Sequence, residues 1–151
     1  MLGAFVGATL VWLHFLPHGK ETPDASLKLG VFCTAPAIGN LAANLISEII
    51  GAFVLVFVSA AIFSKTVSKD GLVAGLGPYL AGCVVWAIGL SLGATTGYAI
   101  NPARDLGPRI AHAVLPIAGK GNSDWNYATI PVAGPLVGAS LAGLLLHILN
   151  F

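Results

Sequence analysis

Residues 97–110 read GYAINPARDLGPRI. The stretch holds two prolines, two arginines and an aspartate, and strongly apolar segments lie on both sides of it. Asn101 is a good N-cap residue, and Pro102 is favoured at the first helical position, where its missing N–H costs nothing. A helix is therefore expected to begin at Asn101–Pro102 and to end before Pro116. About 13 residues at 1.5 Å each reach roughly 20 Å, too short to cross the hydrocarbon and long enough to reach its midplane. Pro108, after Gly107, is expected to kink this helix. Asp105 and Arg109, spaced i and i+4, can pair on one face.

The rest of the chain says what surrounds that helix. Of 151 residues, 56% are hydrophobic and only 9% are charged. A soluble domain carries about 25% charged residues, so lipid is the expected solvent. A net charge of +1 points away from nucleic acid and from acidic partners. Apolar segments run over Met1–Phe15, Leu41–Phe63, Leu72–Leu92 and Ala128–Leu149. Spanning the hydrocarbon takes about 20 residues, so the last three qualify and the first is short. Met1–Phe15 lacks the basic start and the cleavage site of a secretory signal. Lys65 and Lys69, against Asp70, favour the cytoplasmic side for the short Ser64–Gly71 loop, while the Pro17–Asn40 loop also holds Lys20 and Lys28 against Glu21 and Asp24. Cys33 and Cys83 do not make a disulfide framework.

Small residues stand four apart in the apolar segments: Gly3/Gly7, Ser47/Gly51, Gly77/Ala81, Gly89/Gly93 and Gly134/Gly138. In lipid this spacing lets helix backbones approach closely, which predicts a packed bundle. A repeat is also visible. Residues 3–10 read GAFVGATL and residues 134–141 read GPLVGASL, with His14 and His147 following. The first segment thus reads as a shortened copy of the last, closing an earlier unit that is mostly absent. Repeats of this kind underlie many transport folds.

Two arrangements satisfy the motif. The helix after Asn101 can lie on the membrane surface as an ordinary amphipathic helix, its Arg and Asp among the head groups. Alternatively it dips to the midplane, which requires protein or a water-filled cavity around the irregular backbone.

GYAINPARDLGPR resembles the second Asn-Pro-Ala box of the aquaporin (major intrinsic protein) family, and the Asp after Asn-Pro-Ala-Arg resembles its glycerol-conducting branch, the aquaglyceroporins. SEIIG (residues 47–51) is similar to the glutamate-bearing helix that opens the family's second half, and GPLVGA (residues 134–139) to its last helix. The resemblance implies an all-α membrane protein: an aquaporin-like bundle with a re-entrant half-helix. It is incomplete, with the tail of the third helix followed by the fourth to sixth helices. Residues 1–16 would be the tail of the first repeat, 17–39 a connecting loop and 40–151 the second repeat. The opposing Asn-Pro-Ala box is not in this chain.

Roles follow by the same resemblance. Asn101, Pro102 and Ala103 would form the midplane turn, with the Asn101 amide free to donate to a permeant. Arg104, a charge within lipid and so a functional candidate, would be the arginine of the selectivity constriction. Tyr98 would supply its aromatic wall. Gly89 falls where water-selective members carry a histidine and would widen it, although Gly93 four residues on also allows simple helix packing. Asp105 is linked to glycerol conduction and, with Arg109, more readily to bracing the loop. Glu48 would hold the half-helix loop through backbone N–H groups. Pro131 resembles the polyol branch's pattern in the last helix. His112 and His147 read as packing or interface residues.

The expected activity is passive diffusion of glycerol and similar small polyols, with water, through a multi-pass channel in the plasma membrane that excludes ions and protons. The resemblance also implies a homotetramer. No cofactor, metal or nucleic acid is expected. A mainly water-selective channel, or a truncated, non-conducting membrane fragment that packs with other subunits, are the alternatives. An enzyme is disfavoured, since no nucleophile or metal set accompanies Arg104, Asp105 and His112.

Overall fold

A computed structural model describes residues 1–67 and 69–150. The described residues form helices joined by turns: α1 (Leu2–His14), α2 (Leu16–Glu21), α3 (Ala25–Phe32), α4 (Leu41–Phe63), α5 (Leu76–Leu92), α6 (Pro102–Val114) and α7 (Ile130–Ile148). α4 and α7 are long and apolar enough to cross a membrane, with mean hydropathies of 2.4 and 1.6. α5, expected from Leu72, starts at Leu76 and has 17 residues. Gly71 and Gly75 explain the delay. Their φ angles of +74° and +85° are left-handed, so the chain turns there before the helix can begin.

α4 and α7 form the tightest pair in the bundle, and glycines on α7 make it possible. A methyl on Gly138 would overlap the Ile49 carbonyl and stand 3.0 Å from the Phe53 nitrogen. One on Gly134 would come within 2.5 Å of Glu48 Cβ. The expected small-residue packing therefore falls where GPLVGA lies. Its counterpart in α1 does something else, because Gly3 and Gly7 face nothing within 4 Å. α1 instead meets α6 at Gly107, where a methyl would stand 2.8 Å from Ala4 Cβ.

The apolar interior has two parts. Ala8, Phe32, Cys33, Ala111 and Ile117 fill the space between α1, α3 and α6. Ala52, Ile88 and Ile100 fill the space between α4, α5 and the approach to α6. The exterior is greasy as well: Leu2, Trp86 and Leu90 stay 77%, 69% and 76% exposed. A bundle that is apolar outside suits lipid.

Residues 17–39, expected as a connecting loop, hold most of α2 and all of α3. Asp24 starts α3 by accepting from Ser26 N and Ser26 Oγ, both at 2.7 Å. The Ser26 hydroxyl, and then its N–H, hold the Asp24 carboxyl below its usual pKa. Lys28 on α3 is buried and donates to the Ala118 carbonyl, which fastens the connector to the segment after α6.

Candidate functional site

The site grows from the start of α6. Asn101 is extended, with φ −158°, and its side-chain oxygen accepts from Ala103 N at 2.9 Å. That oxygen satisfies one of the free N–H groups of the helix start, and the amide N–H₂ is left to donate elsewhere. Pro102 occupies the first turn, as its locked φ favours. The helix then runs through Pro108 without ending there, and stops at Val114, one residue before the Leu115–Pro116 break.

The approach to Asn101 is strained. Gly97, Tyr98 and Ile100 take φ values of +72°, +39° and +42°. For tyrosine and the β-branched isoleucine this region is sterically costly, and it persists only where neighbours impose it. Glu48 imposes it here. Its two carboxylate oxygens accept from Ala99 N at 2.9 Å and Ile100 N at 2.7 Å. Glu48 is fully buried, so both bonds form away from water. Around them, Ile100 packs against Gly51, Gly134 lets α7 close over Glu48, and Pro131 is buried at the start of α7.

The Tyr98 ring lies along the glycine face of α5. A methyl on Gly89 would stand 3.1 Å from Tyr98 Cζ and 3.3 Å from its hydroxyl, and one on Gly93 would stand 2.7 Å from Cδ1. The width that glycine leaves at position 89 is thus taken up by the ring. Gly89 was expected either to widen the constriction or to pack a helix; its nearest neighbour here is the ring of Tyr98, the residue expected to form the aromatic wall. Arg104 Cζ sits 5.9 Å from the centre of the same ring, within cation–π range. Asn101 and Arg104 are both exposed.

The opposite face of α6 is closed by charge. Asp105 and Arg109, both fully buried, pair through Arg109 Nε at 2.7 Å and Nη2 at 2.9 Å. Arg109 Nη1 also donates to the carbonyls of Ser123 (2.7 Å) and Asp124 (2.9 Å), and Nη2 to that of Thr34 (2.9 Å). Thr34 returns two bonds to Asp105, from N at 2.8 Å and Oγ1 at 2.6 Å. His112 packs on Phe32 with ring centres 5.5 Å apart, and its Nδ1 meets Ser123 Oγ at 2.8 Å. Lys120 donates to the carbonyls of His112, Ala113 and Leu115 at 2.6–2.7 Å, completing the C-terminal end of α6. Burial pushes the Cys33 thiol up to about 12, which keeps it an unreactive apolar filler.

The model of the Major intrinsic protein family matches residues 1–146. The chain belongs to the major intrinsic protein family. Among the curated relatives, glycerol uptake facilitator protein 3 of Lactiplantibacillus plantarum is 56% identical over 147 residues, covering 97% of this chain and 59% of its own length. The glycerol uptake facilitator protein of Bacillus subtilis is 55% identical over 144 residues, covering 95% of this chain and 51% of its own length. The chain therefore spans between half and three-fifths of these relatives. The aquaglyceroporin from Plasmodium falciparum superposes with a TM-score of 0.73 at 23% identity, covering 94% of this chain and 58% of that one. It shares the fold.

Within this major intrinsic protein fold, Tyr98, Gly89 and Arg104 come together, and Asn101, Pro102 and Ala103 form one turn beside them. Glu48, Asp105, Arg109 and Pro131, expected to support them, are fully buried. Thr34, Ser123 and Lys120 complete the support and went unread in the sequence. Lys120 alone left a signal, a cation shortly after a helix end.

Proposed function

We propose that this chain forms one side of a membrane channel that passes glycerol and similar small neutral solutes, with water, down their gradients. One observation carries the reading: Arg104, exposed three residues after the exposed Asn101, lies over a tyrosine ring that fills the space over Gly89. A polyol has hydroxyls on one edge and carbon on the other. Arg104 and the Asn101 amide offer donors to the hydroxyls, and the Tyr98 ring offers an apolar wall to the carbon edge. The positive end of the α6 dipole adds a field that opposes cations and protons at the turn. The names of the relatives agree with this solute. The same reading places the protein in the cell membrane as a multi-pass tetramer, with one pore in each subunit.

The test uses the complete reading frame that carries these residues, purified and reconstituted in lipid vesicles. Swelling under a glycerol gradient and shrinkage under a non-permeant osmolyte are followed by light scattering. Both are expected to be fast and non-saturating. Water flux without glycerol flux would overturn the Gly89–Tyr98 argument in favour of a water-selective channel. Neither flux would leave a protein that packs in the membrane without conducting.

A further inference from the structure

We propose that Thr34 is a positioning residue for the constriction, holding Tyr98 and Arg104 at a fixed separation; the inference rests on the channel reading above. The two filter side chains belong to different segments. Tyr98 follows Gly97 in the strained approach, and Arg104 precedes Asp105 on the first turn of α6. Thr34 comes from a third segment, the end of the connector after α3; it bonds the second and lies beside the first. Its N–H and hydroxyl both donate to Asp105 Oδ2, at 2.8 Å and 2.6 Å, while its carbonyl accepts from Arg109. On its other side, a Cβ built on Gly97 would meet Thr34 Cβ and Cγ2 at 3.6 Å, ordinary van der Waals contact. Three residues further on, Ala37 N donates to the Thr95 carbonyl at 3.0 Å, tying the same connector to the chain just before Gly97. Thr34 is only 5% exposed, so water does not compete for its hydroxyl.

The chemistry explains why threonine suits the position. The hydroxyl bonds an ionised carboxylate, and bonds of that kind are stronger than neutral ones. The methyl and Cβ face Gly97, where they leave room for no more than one further carbon. Valine keeps the shape and loses the hydroxyl, placing a methyl against Asp105 Oδ2. Asp105 then turns to recover a partner, and Arg104, one residue away, moves relative to Tyr98. A filter sorts solutes by sub-ångström fit, so a small displacement changes which solute passes more than it changes folding.

The experiment measures glycerol and water permeability in the same vesicles, for the protein from the complete reading frame and for Thr34→Val, Thr34→Ala and Thr34→Ser. The ratio of the two permeabilities does not depend on how many channels fold. Thr34→Val and Thr34→Ala are expected to change that ratio by about threefold or more, the scale of losing one charge-assisted hydrogen bond. Thr34→Ser, which keeps the hydroxyl and Cβ, is expected to restore it to within about twofold. An unchanged ratio in Thr34→Val and Thr34→Ala, with both fluxes lowered together, would make Thr34 a purely structural residue and overturn the inference. A serine variant as altered as the valine one would also overturn it. If the unmodified protein conducts neither solute, the channel reading itself fails, an outcome distinct from an unchanged ratio.

Discussion

Arg104 and Arg109 sit on one short helix, five residues apart, in opposite circumstances. Arg109 is fully buried, and its five N–H donors all find oxygen: two in Asp105 and three in the carbonyls of Thr34, Ser123 and Asp124. Arg104 is exposed, and among the described residues its guanidinium meets only the face of Tyr98. The difference separates structure from function within a single helix. A guanidinium whose donors are all satisfied holds chain segments together and has nothing left for a solute. One whose donors point into the open is free for the role proposed for Arg104, binding what passes and excluding cations. The α6 helix thus has a locked face and an exposed one, and the exposed one is the working face of the proposed channel.

Breaking the locked face should have the largest effect on folding. Arg109→Ala leaves the Asp105 carboxylate buried with only Thr34 as a partner, and removing one member of a buried pair costs about 3–5 kcal/mol. The thermal unfolding midpoint of the detergent-solubilised protein should fall sharply, as should the yield of folded material. Replacing both residues with apolar ones, Arg109→Met with Asp105→Leu, should cost less than the sum of the single changes, because neither charge is then stranded. Additive losses would show that the two charges act independently.

Close packing is the next most sensitive feature. Gly138→Ala pushes a methyl into the Ile49 carbonyl and towards the Phe53 nitrogen, backbone atoms that cannot swing aside. Overpacking of this kind costs about 1–3 kcal/mol. Gly143, on the same helix, faces nothing within 4 Å, and Gly143→Ala should be neutral or slightly stabilising through helix propensity. Equal effects at the two positions would refute the α4–α7 contact. Both glycines are then measured by the same thermal unfolding midpoint.

The two faces were not equally legible in the sequence. The start of α6 was readable because it is local: Asn101 and Pro102 announce it, whereas Tyr98, Arg104 and Gly89 were singled out by the family resemblance alone. Half of the locked face was readable too, since Asp105 and Arg109 are four apart on any helix. The remaining partners of Arg109 are main-chain carbonyls 14, 15 and 75 residues away. Every residue has a carbonyl, so such contacts leave no mark in a sequence. The connector misled for a related reason. Its helices are short, and the apolar residues of α3 (Ala25, Leu27, Leu29, Val31) alternate instead of recurring at helical spacing, although Asp24 two residues before Ser26 is a cap signal for α3. The late start of α5 turns on Gly71 and Gly75, whose left-handed conformation composition alone does not reveal. Of the five small-residue pairs, spacing identified the positions but not their partners: Gly134/Gly138 meet a helix, Gly89/Gly93 meet a ring, and Gly3/Gly7 meet nothing within 4 Å.

Asn101 lies on the border between the faces, and its substitution should have an intermediate effect. Asn101→Ala removes the acceptor of Ala103 N and should destabilise the start of α6 by about 1 kcal/mol. Asn101→Asp keeps the acceptor but loses the N–H₂ donors and adds a negative charge at the positive end of the helix. It should fold as well as the unmodified protein and yet admit cations, measured as a vesicle potential under a potassium gradient. If Asn101→Ala and Asn101→Asp lose stability equally, the side-chain oxygen is not the cap.

The smallest effect on folding is expected at Arg104, and it is the sharpest test of the comparison. Arg104→Ala removes a charge that no described residue pairs by hydrogen bond, so stability should stay within about 0.5 kcal/mol of the unmodified protein. Transport should nevertheless change: the constriction widens, the ratio of glycerol to water permeability shifts, and cation exclusion weakens as the positive charge goes. Arg104→Lys should retain most of the exclusion, since the charge stays, and lose discrimination among polyols, since a single ammonium cannot reproduce the planar fork of donors. If Arg104→Ala instead unfolds the protein as Arg109→Ala is expected to, the two arginines play the same role. The working face would then be one more packed surface.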